Sequence, residues 1–200
     1  MSTKTVEFFF DVGSPATYLA WTQLPRLCQE TGAQLVWRPM LLGGVFKDTG
    51  NASPAMVPAK GAYMLQDLAR HARRYGVSFQ PNPHFPINTL LLMRAITGVQ
   101  LREPERFQDL VGLVFQALWV QGLNLNDPAV LARALSQGGF SPEALLALSQ
   151  DPQAKDALKA NTEEAVRRGV FGAPTCFVGQ EMFFGQDRLD FVREALLART

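Results

Sequence analysis

The sequence predicts an α/β domain in which a βαβ unit and a ββα unit build one sheet, interrupted by an all-helical insertion. Three observations carry that prediction. The chain opens on a short apolar strand, a turn and a proline-led helix, Val6 to about Thr31. The middle holds a succession of helical patterns without strand character. Two short apolar runs separated by Gly179-Gln180 then return, followed by one last helical stretch. The predicted division is residues 1–50 and 166–200 as the sheet domain and 51–165 as the inserted helical domain.

Each element has a local cause. Val6-Glu7-Phe8-Phe9-Phe10 is short, aromatic and β-branched, as a buried strand requires. Asp11-Val12-Gly13-Ser14 makes a turn, and Pro15 suits the first position of a helix that Gly32 stops. Gln34 to Arg38 reads as a second strand, parallel to the first and ended by Pro39. Gly43 to Pro58 reads as a loop. Helical patterns follow over Ala59–Tyr75, Asn88–Gly98, Glu103–Gln121, Pro128–Leu135 and Glu143 to about Arg168, with no repeat period. Thr175–Val178 and Glu181–Phe184 read as a hairpin, and Asp187 as the N-cap of a helix over Arg188–Leu197.

Composition excludes several classes of function. With 47% hydrophobic and 18% charged residues the chain has the make-up of a folded domain rather than a disordered one. A net charge of +1 gives no electrostatic reason to expect nucleic acid or a membrane surface as partner. The nearest basic cluster, Arg70, His71, Arg73 and Arg74, lies at the end of a helical pattern, where cations favour the helix dipole. No apolar run is long enough to cross a bilayer, and Met1-Ser2-Thr3-Lys4-Thr5 leads into a strand rather than an export signal, so a cytoplasmic protein is expected. Cys28 and Cys176 form no CxxC pair, which argues against a disulfide framework and thiol redox chemistry. With His71 and His84 the only histidines, no metal site is expected.

Chemistry centres on Ser14. It stands where a strand end meets a helix N-terminus, a place whose free N–H groups favour an anion. A serine there also serves simply as a helix cap. Gly172-Ala173-Pro174-Thr175 puts a proline directly ahead of a core strand, opposite that helix end, where a thioredoxin-like fold carries a cis bond; the alternative is an ordinary trans proline. If cis, the backbone of Ala173 can pair with an extended peptide. Gly185-Gln186-Asp187-Arg188 offers donors and an acceptor suited to an α-amino acid head group, or else only a cap. Asn51 and Lys60 flank a proline-containing helix start and otherwise read as a loop amide and a solvated lysine. Phe46, Phe115, Trp119 and Phe171 read as core. Ser14 and Pro174 are expected to lie side by side.

These residues also carry a resemblance. Phe8-Phe9-Phe10-Asp11-Val12-Gly13-Ser14-Pro15, Arg38-Pro39-Met40-Leu41-Leu42-Gly43-Gly44-Val45-Phe46, Asn51, Lys60-Gly61-Ala62-Tyr63-Met64, Asp67, Arg70, Asn126-Asp127-Pro128, Gly169 to Thr175 and Phe184 to Arg188 resemble the 2-hydroxychromene-2-carboxylate isomerase family. That family is close to the kappa-class glutathione transferases, and both resemble disulfide oxidoreductases with an inserted helical domain. The similarity runs nearly end to end. One departure is Gln186, where the family often has a serine before the Asp-Arg pair.

The resemblance implies glutathione as cofactor, with its sulfur near the catalytic Ser14. It implies that Ala173 and Pro174 present the backbone to the cysteinyl unit and that Asn51 and Lys60 hold the peptide and the glycyl carboxylate. Asp187 would hold the α-amino group and Gln186 the α-carboxylate. The implied reaction interconverts 2-hydroxychromene-2-carboxylate and trans-o-hydroxybenzylidenepyruvate, a small aromatic electrophile of aromatic-compound catabolism, in a cytoplasmic homodimer. The main rival is a kappa-like transferase conjugating glutathione to electrophiles. A thioredoxin-like binding module without catalysis is the third reading, and the absence of CxxC argues against a disulfide oxidoreductase.

Overall fold

The structure, a computed structural model, describes residues 4–198. Met1–Thr3, part of the segment read for an export signal, lie outside the described residues. The sheet has four strands in the order β2-β1-β3-β4. Strand β1 (Thr5–Phe10) is central, parallel to β2 (Gln34–Pro39) with Phe8 opposite Trp37, and antiparallel to β3 (Thr175–Val178) with Phe8 opposite Cys176. Strand β4 (Glu181–Phe184) closes the hairpin with β3. The Phe8-Phe9-Phe10 run of β1 follows from burial on both faces. Val6, Phe8 and Phe10 enter the main core, while Phe9 joins Met40, Val45, Ala165, Val170 and Phe177 on the other side.

Helix α1 (Pro15–Thr31) starts and stops as its sequence predicts, with Ser14 as N-cap, Pro15 at its first position and Gly32 in the left-handed conformation at φ 65°. Between β2 and β3 lie α2 (Leu42–Thr49), α3 (Pro58–Tyr75), α4 (Leu90–Arg102), α5 (Phe107–Trp119), α6 (Pro128–Gln137), α7 (Pro142–Gln150) and α8 (Pro152–Arg167). One continuous core joins this helical block to the sheet: Phe115 and Trp119 are buried with Phe8 and Phe10, and the Trp119 indole donates to the Val12 carbonyl at 2.8 Å. On the opposite face Arg38 and Arg168 pair with Glu7 and Glu164, and Arg168 lies 3.7 Å over the Phe177 ring. No helix among the described residues is long and apolar enough to cross a membrane.

Three expectations are corrected. The expected loop Gly43–Pro58 contains α2, despite two glycines that each cost about 1 kcal/mol in a helix. Tertiary contacts outweigh that cost. The Leu41 and Leu42 amides donate to Thr162 Oγ1 and Asp11 Oδ2, Val45 is fully buried, and a Cβ on Gly44 would come within 3.1 Å of Thr162 Cγ2, so the bare residue lets α2 lie close on α8. The single helix expected over Glu143–Arg168 is two, α7 and α8, divided at Asp151. Proline 152 disfavours helical geometry in the residue before it, and the Asp151 side chain caps α8 through the Gln153 amide at 2.9 Å. Asp187 is not the N-cap of the last helix. It lies inside a 3-10 turn, Gln186–Arg188, pairs with Arg188, and leads into α9 (Leu189–Ala198).

Candidate active site

The C-terminal end of β1 and the N-terminal end of α1 present Ser14, which is 6% exposed. Its hydroxyl does two things at once. It accepts the Thr17 amide at 3.2 Å, capping the helix, and donates to the Ala173 carbonyl at 3.0 Å. The Ala173–Pro174 bond is cis, as expected from its position ahead of β3. The Pro174 carbonyl accepts the Gly185 amide at 3.0 Å, so the Ser14 turn, the proline loop and the turn after β4 lie in a row. At the α1 end Pro15 has no N–H, the Thr17 and Tyr18 amides are bound to Ser14, and the Ala16 amide has no hydrogen-bond partner among the described residues.

Asn51 belongs to this group. Its amide donates to the Phe171 carbonyl at 2.7 Å and its oxygen accepts the Ala52 amide, so it stands beside the Phe171–Pro174 segment. Phe171, read as core, is instead 38% exposed and packs on Phe184 with ring centroids 4.6 Å apart. Lys60 opens α3 and lines a cleft of about 520 Å³ together with Ala16, Tyr63, Asp67 and Gln186. Gln186 is buried, and its backbone carbonyl accepts the Tyr75 hydroxyl at 2.7 Å, joining this turn to the end of α3. The fold thus brings Ser14, Asn51, Ala173 and Pro174 together, with Lys60 and Gln186 along the adjoining cleft. The Asp187 carboxylate, held by Arg188, lines the neighbouring polar cleft of about 350 Å³ with Glu30, His71 and Arg193.

Sequence reasoning gave no role to Asp67 and Asp11. Asp67 had a signal: Lys60, Tyr63, Met64 and Asp67 recur at the i, i+3, i+4, i+7 spacing of one helix face, and all four line the cleft. Asp11 had none beyond its place in the turn. Its carboxyl is pushed above the usual range by burial, against the opposing pull of the Gly13 and Leu42 amides and the Thr89 hydroxyl.

The protein's own thiols are withdrawn from chemistry. Cys28 and Cys176 are both buried; burial pushes the Cys28 thiol up to about 11, and burial and then the nearby Cys28 push Cys176 up as well.

Residues 5–197 match the family described as DSBA-like thioredoxin domain. The chain is 33% identical over 206 residues to glutathione S-transferase kappa 1 of Homo sapiens, covering 96% of this chain and 91% of that protein. It is 31% identical over 198 residues to 2-hydroxychromene-2-carboxylate isomerase of Sphingobium xenophagum, covering 98% and 99%. A solved 2-hydroxychromene-2-carboxylate isomerase structure superposes with a TM-score of 0.82 at 28% identity, covering 96% of this chain and 94% of that one. On that near-full-length similarity, the chain belongs to the DSBA-like thioredoxin domain family, and within it to the group of enzymes named 2-hydroxychromene-2-carboxylate isomerase and glutathione S-transferase kappa.

Proposed function

We propose that this protein binds glutathione with its sulfur at Ser14 and isomerises 2-hydroxychromene-2-carboxylate and trans-o-hydroxybenzylidenepyruvate. The observation that carries the reading is a serine hydroxyl, buried at a helix N-terminus and 3.0 Å from the carbonyl before a cis proline, in a chain whose own cysteines are buried. The donor set fits the tripeptide. Lys60 suits the glycyl carboxylate, the Asn51 amide the adjoining peptide, and the Ala173 backbone the extended cysteinyl unit. Asp67, which lines the Lys60 cleft, suits the α-amino group, as does Asp187 once released from Arg188. The Gln186 side chain stands for the α-carboxylate. A cleft of about 520 Å³ is within the roughly 300–1,000 Å³ of small-molecule sites.

Bound glutathione would be held by Ser14, Asn51, Lys60 and Ala173 and would supply a thiolate nucleophile for reversible addition to the conjugated double bond of the substrate. The chain's task is to hold charge and protons around that sulfur. The Ser14 hydroxyl donates its hydrogen bond to the Ala173 carbonyl. A ligand N–H taking over that carbonyl lets the hydroxyl turn and donate to the sulfur, while the Ala16 amide and the positive end of α1 favour the anion. Both effects raise the thiolate fraction at neutral pH. The protein acts in this reading as a cytoplasmic homodimer of aromatic-compound catabolism.

The second reading, a kappa-like transferase, is favoured by the 33% identity to the human transferase. Both share the thiolate and differ in whether the conjugate is released. The test is to incubate pure protein with 2-hydroxychromene-2-carboxylate, with and without glutathione, and follow the absorbance of the ring-opened product. Glutathione-dependent conversion without consumption of glutathione supports the isomerase; stoichiometric loss of glutathione to an electrophile, without isomerisation, supports the transferase.

A further inference from the structure

We propose that Asp11 is a positioning residue of the Ser14 site, its carboxylate fastening the Gly13–Ser14 turn to the N-terminal ends of α2 and α4. The side chain is 1% exposed, and every bond it makes is accounted for. Oδ1 accepts the Gly13 amide at 2.9 Å. Oδ2 accepts the Leu42 amide at 2.8 Å and the Thr89 hydroxyl at 3.0 Å. Its backbone carbonyl accepts the Ser14 amide at 3.1 Å.

The Gly13 bond alone would be an ordinary Asx turn. The other two reach residues 31 and 78 positions away, one at the start of α2 and one just ahead of α4. The contact with α4 is close. A Cβ on Gly13 would come within 2.7 Å of Thr89 Cγ2, so the turn and Thr89 meet only because residue 13 is bare.

The two N–H donors require two acceptor oxygens. Leu42 and Gly13 each present a backbone N–H that cannot turn away, one to each oxygen. An asparagine would set its own NH₂ against one of them and leave a buried donor unsatisfied. No Lys, Arg or His pairs with Asp11 among the described residues, so neutral donors alone offset its burial. An ionised Asp11, three residues from Ser14, would oppose a thiolate there rather than favour it. Asp11 therefore contributes to the site through geometry: it ties the aim of the Ser14 hydroxyl to the helical block as well as to α1.

This inference rests on the sulfur site proposed above, and its test separates the two. Wild type, Asp11→Asn, Thr89→Val and Thr89→Ser are compared for glutathione binding by calorimetry, for kcat and KM, and for the pKa of the bound thiol by ultraviolet titration. Positioning predicts that Asp11→Asn lowers kcat about tenfold or more with KM for glutathione within about threefold, even where loss of the charge lowers the thiol pKa. Thr89→Val should lose about threefold in kcat and Thr89→Ser should recover it. A role through charge alone predicts a lower thiol pKa in Asp11→Asn with no loss of kcat, and a purely structural role predicts a lower Tm with wild-type kcat; either overturns the proposal. If wild type binds no glutathione, the proposed function fails. Asp11 is then decided by amide hydrogen exchange, where Asp11→Asn must speed at least one of the Gly13 and Leu42 amides, and unchanged exchange at both overturns the inference.

Discussion

Replacing Ser14 by alanine separates a helix cap from a sulfur donor, because the two roles have different magnitudes and different readouts. The hydroxyl makes two hydrogen bonds, accepting from the Thr17 amide and donating to the Ala173 carbonyl. Losing the cap costs about 1 kcal/mol, and losing the second bond about 1 kcal/mol more. For a chain of this length about 2 kcal/mol lowers Tm by roughly 4–8 °C. The variant should therefore fold and should still bind glutathione, whose peptide is held by other groups in the proposed site. Turnover should fall on the order of 100-fold, the usual loss when a donor to developing charge is removed. The pKa of the bound thiol should rise in parallel, since the hydroxyl favours the ionised form. The assays are thermal unfolding, isomerase kinetics at saturating glutathione, and ultraviolet titration of the bound thiol. A lower Tm with near-normal turnover and an unchanged thiol pKa would refute the reasoning and reduce Ser14 to a cap.

Three further outcomes are expected. If a ligand N–H must displace Ser14 from the Ala173 carbonyl, a simple mercaptan without a peptide N–H should keep a nearly unshifted pKa in the site while glutathione does not; equal shifts for both thiols would refute this. With Cys28 pushed up to about 11 by burial and Cys176 pushed up too, neither should be alkylated by iodoacetamide at pH 7.5 in the folded protein, whereas both should react in denaturant. Mass spectrometry reads this directly, and Cys28→Ala should leave turnover intact. Lys60→Ala and Asp67→Ala should each raise KM for glutathione about tenfold with little change in kcat. Asp187→Ala should do less, because its carboxylate is engaged with Arg188, and a larger effect at Asp187 than at Asp67 would reverse that assignment.

Much of the fold was legible because its signals are local. Val6–Phe10 carries apolar residues on both faces, Pro15 and Gly32 bracket α1, and Gly179-Gln180 joins two short strands. Pro174 ahead of a core strand pointed to the cis bond opposite Ser14. The break between α7 and α8 was also present in the sequence, as Asp151-Pro152, and was overridden by the helical pattern on either side. Helix α2 was not legible in this way. Its two glycines weigh against a helix, and its stability comes from Asp11, Thr162 and the burial of Val45.

The sequence by itself determined the order of elements and the serine cap at the head of α1, because backbone preference and capping depend on near neighbours. Only the tertiary structure decided which groups share a cleft. It set Lys60, Asp67 and Gln186 together and turned Asp187 toward the neighbouring cleft, and it gave Asp11 partners from two distant segments. Those choices depend on how the helical block closes over the sheet. Side chains far apart in sequence become neighbours only when one core, shared by β1, α1, α4 and α5, brings their backbones within hydrogen-bonding reach.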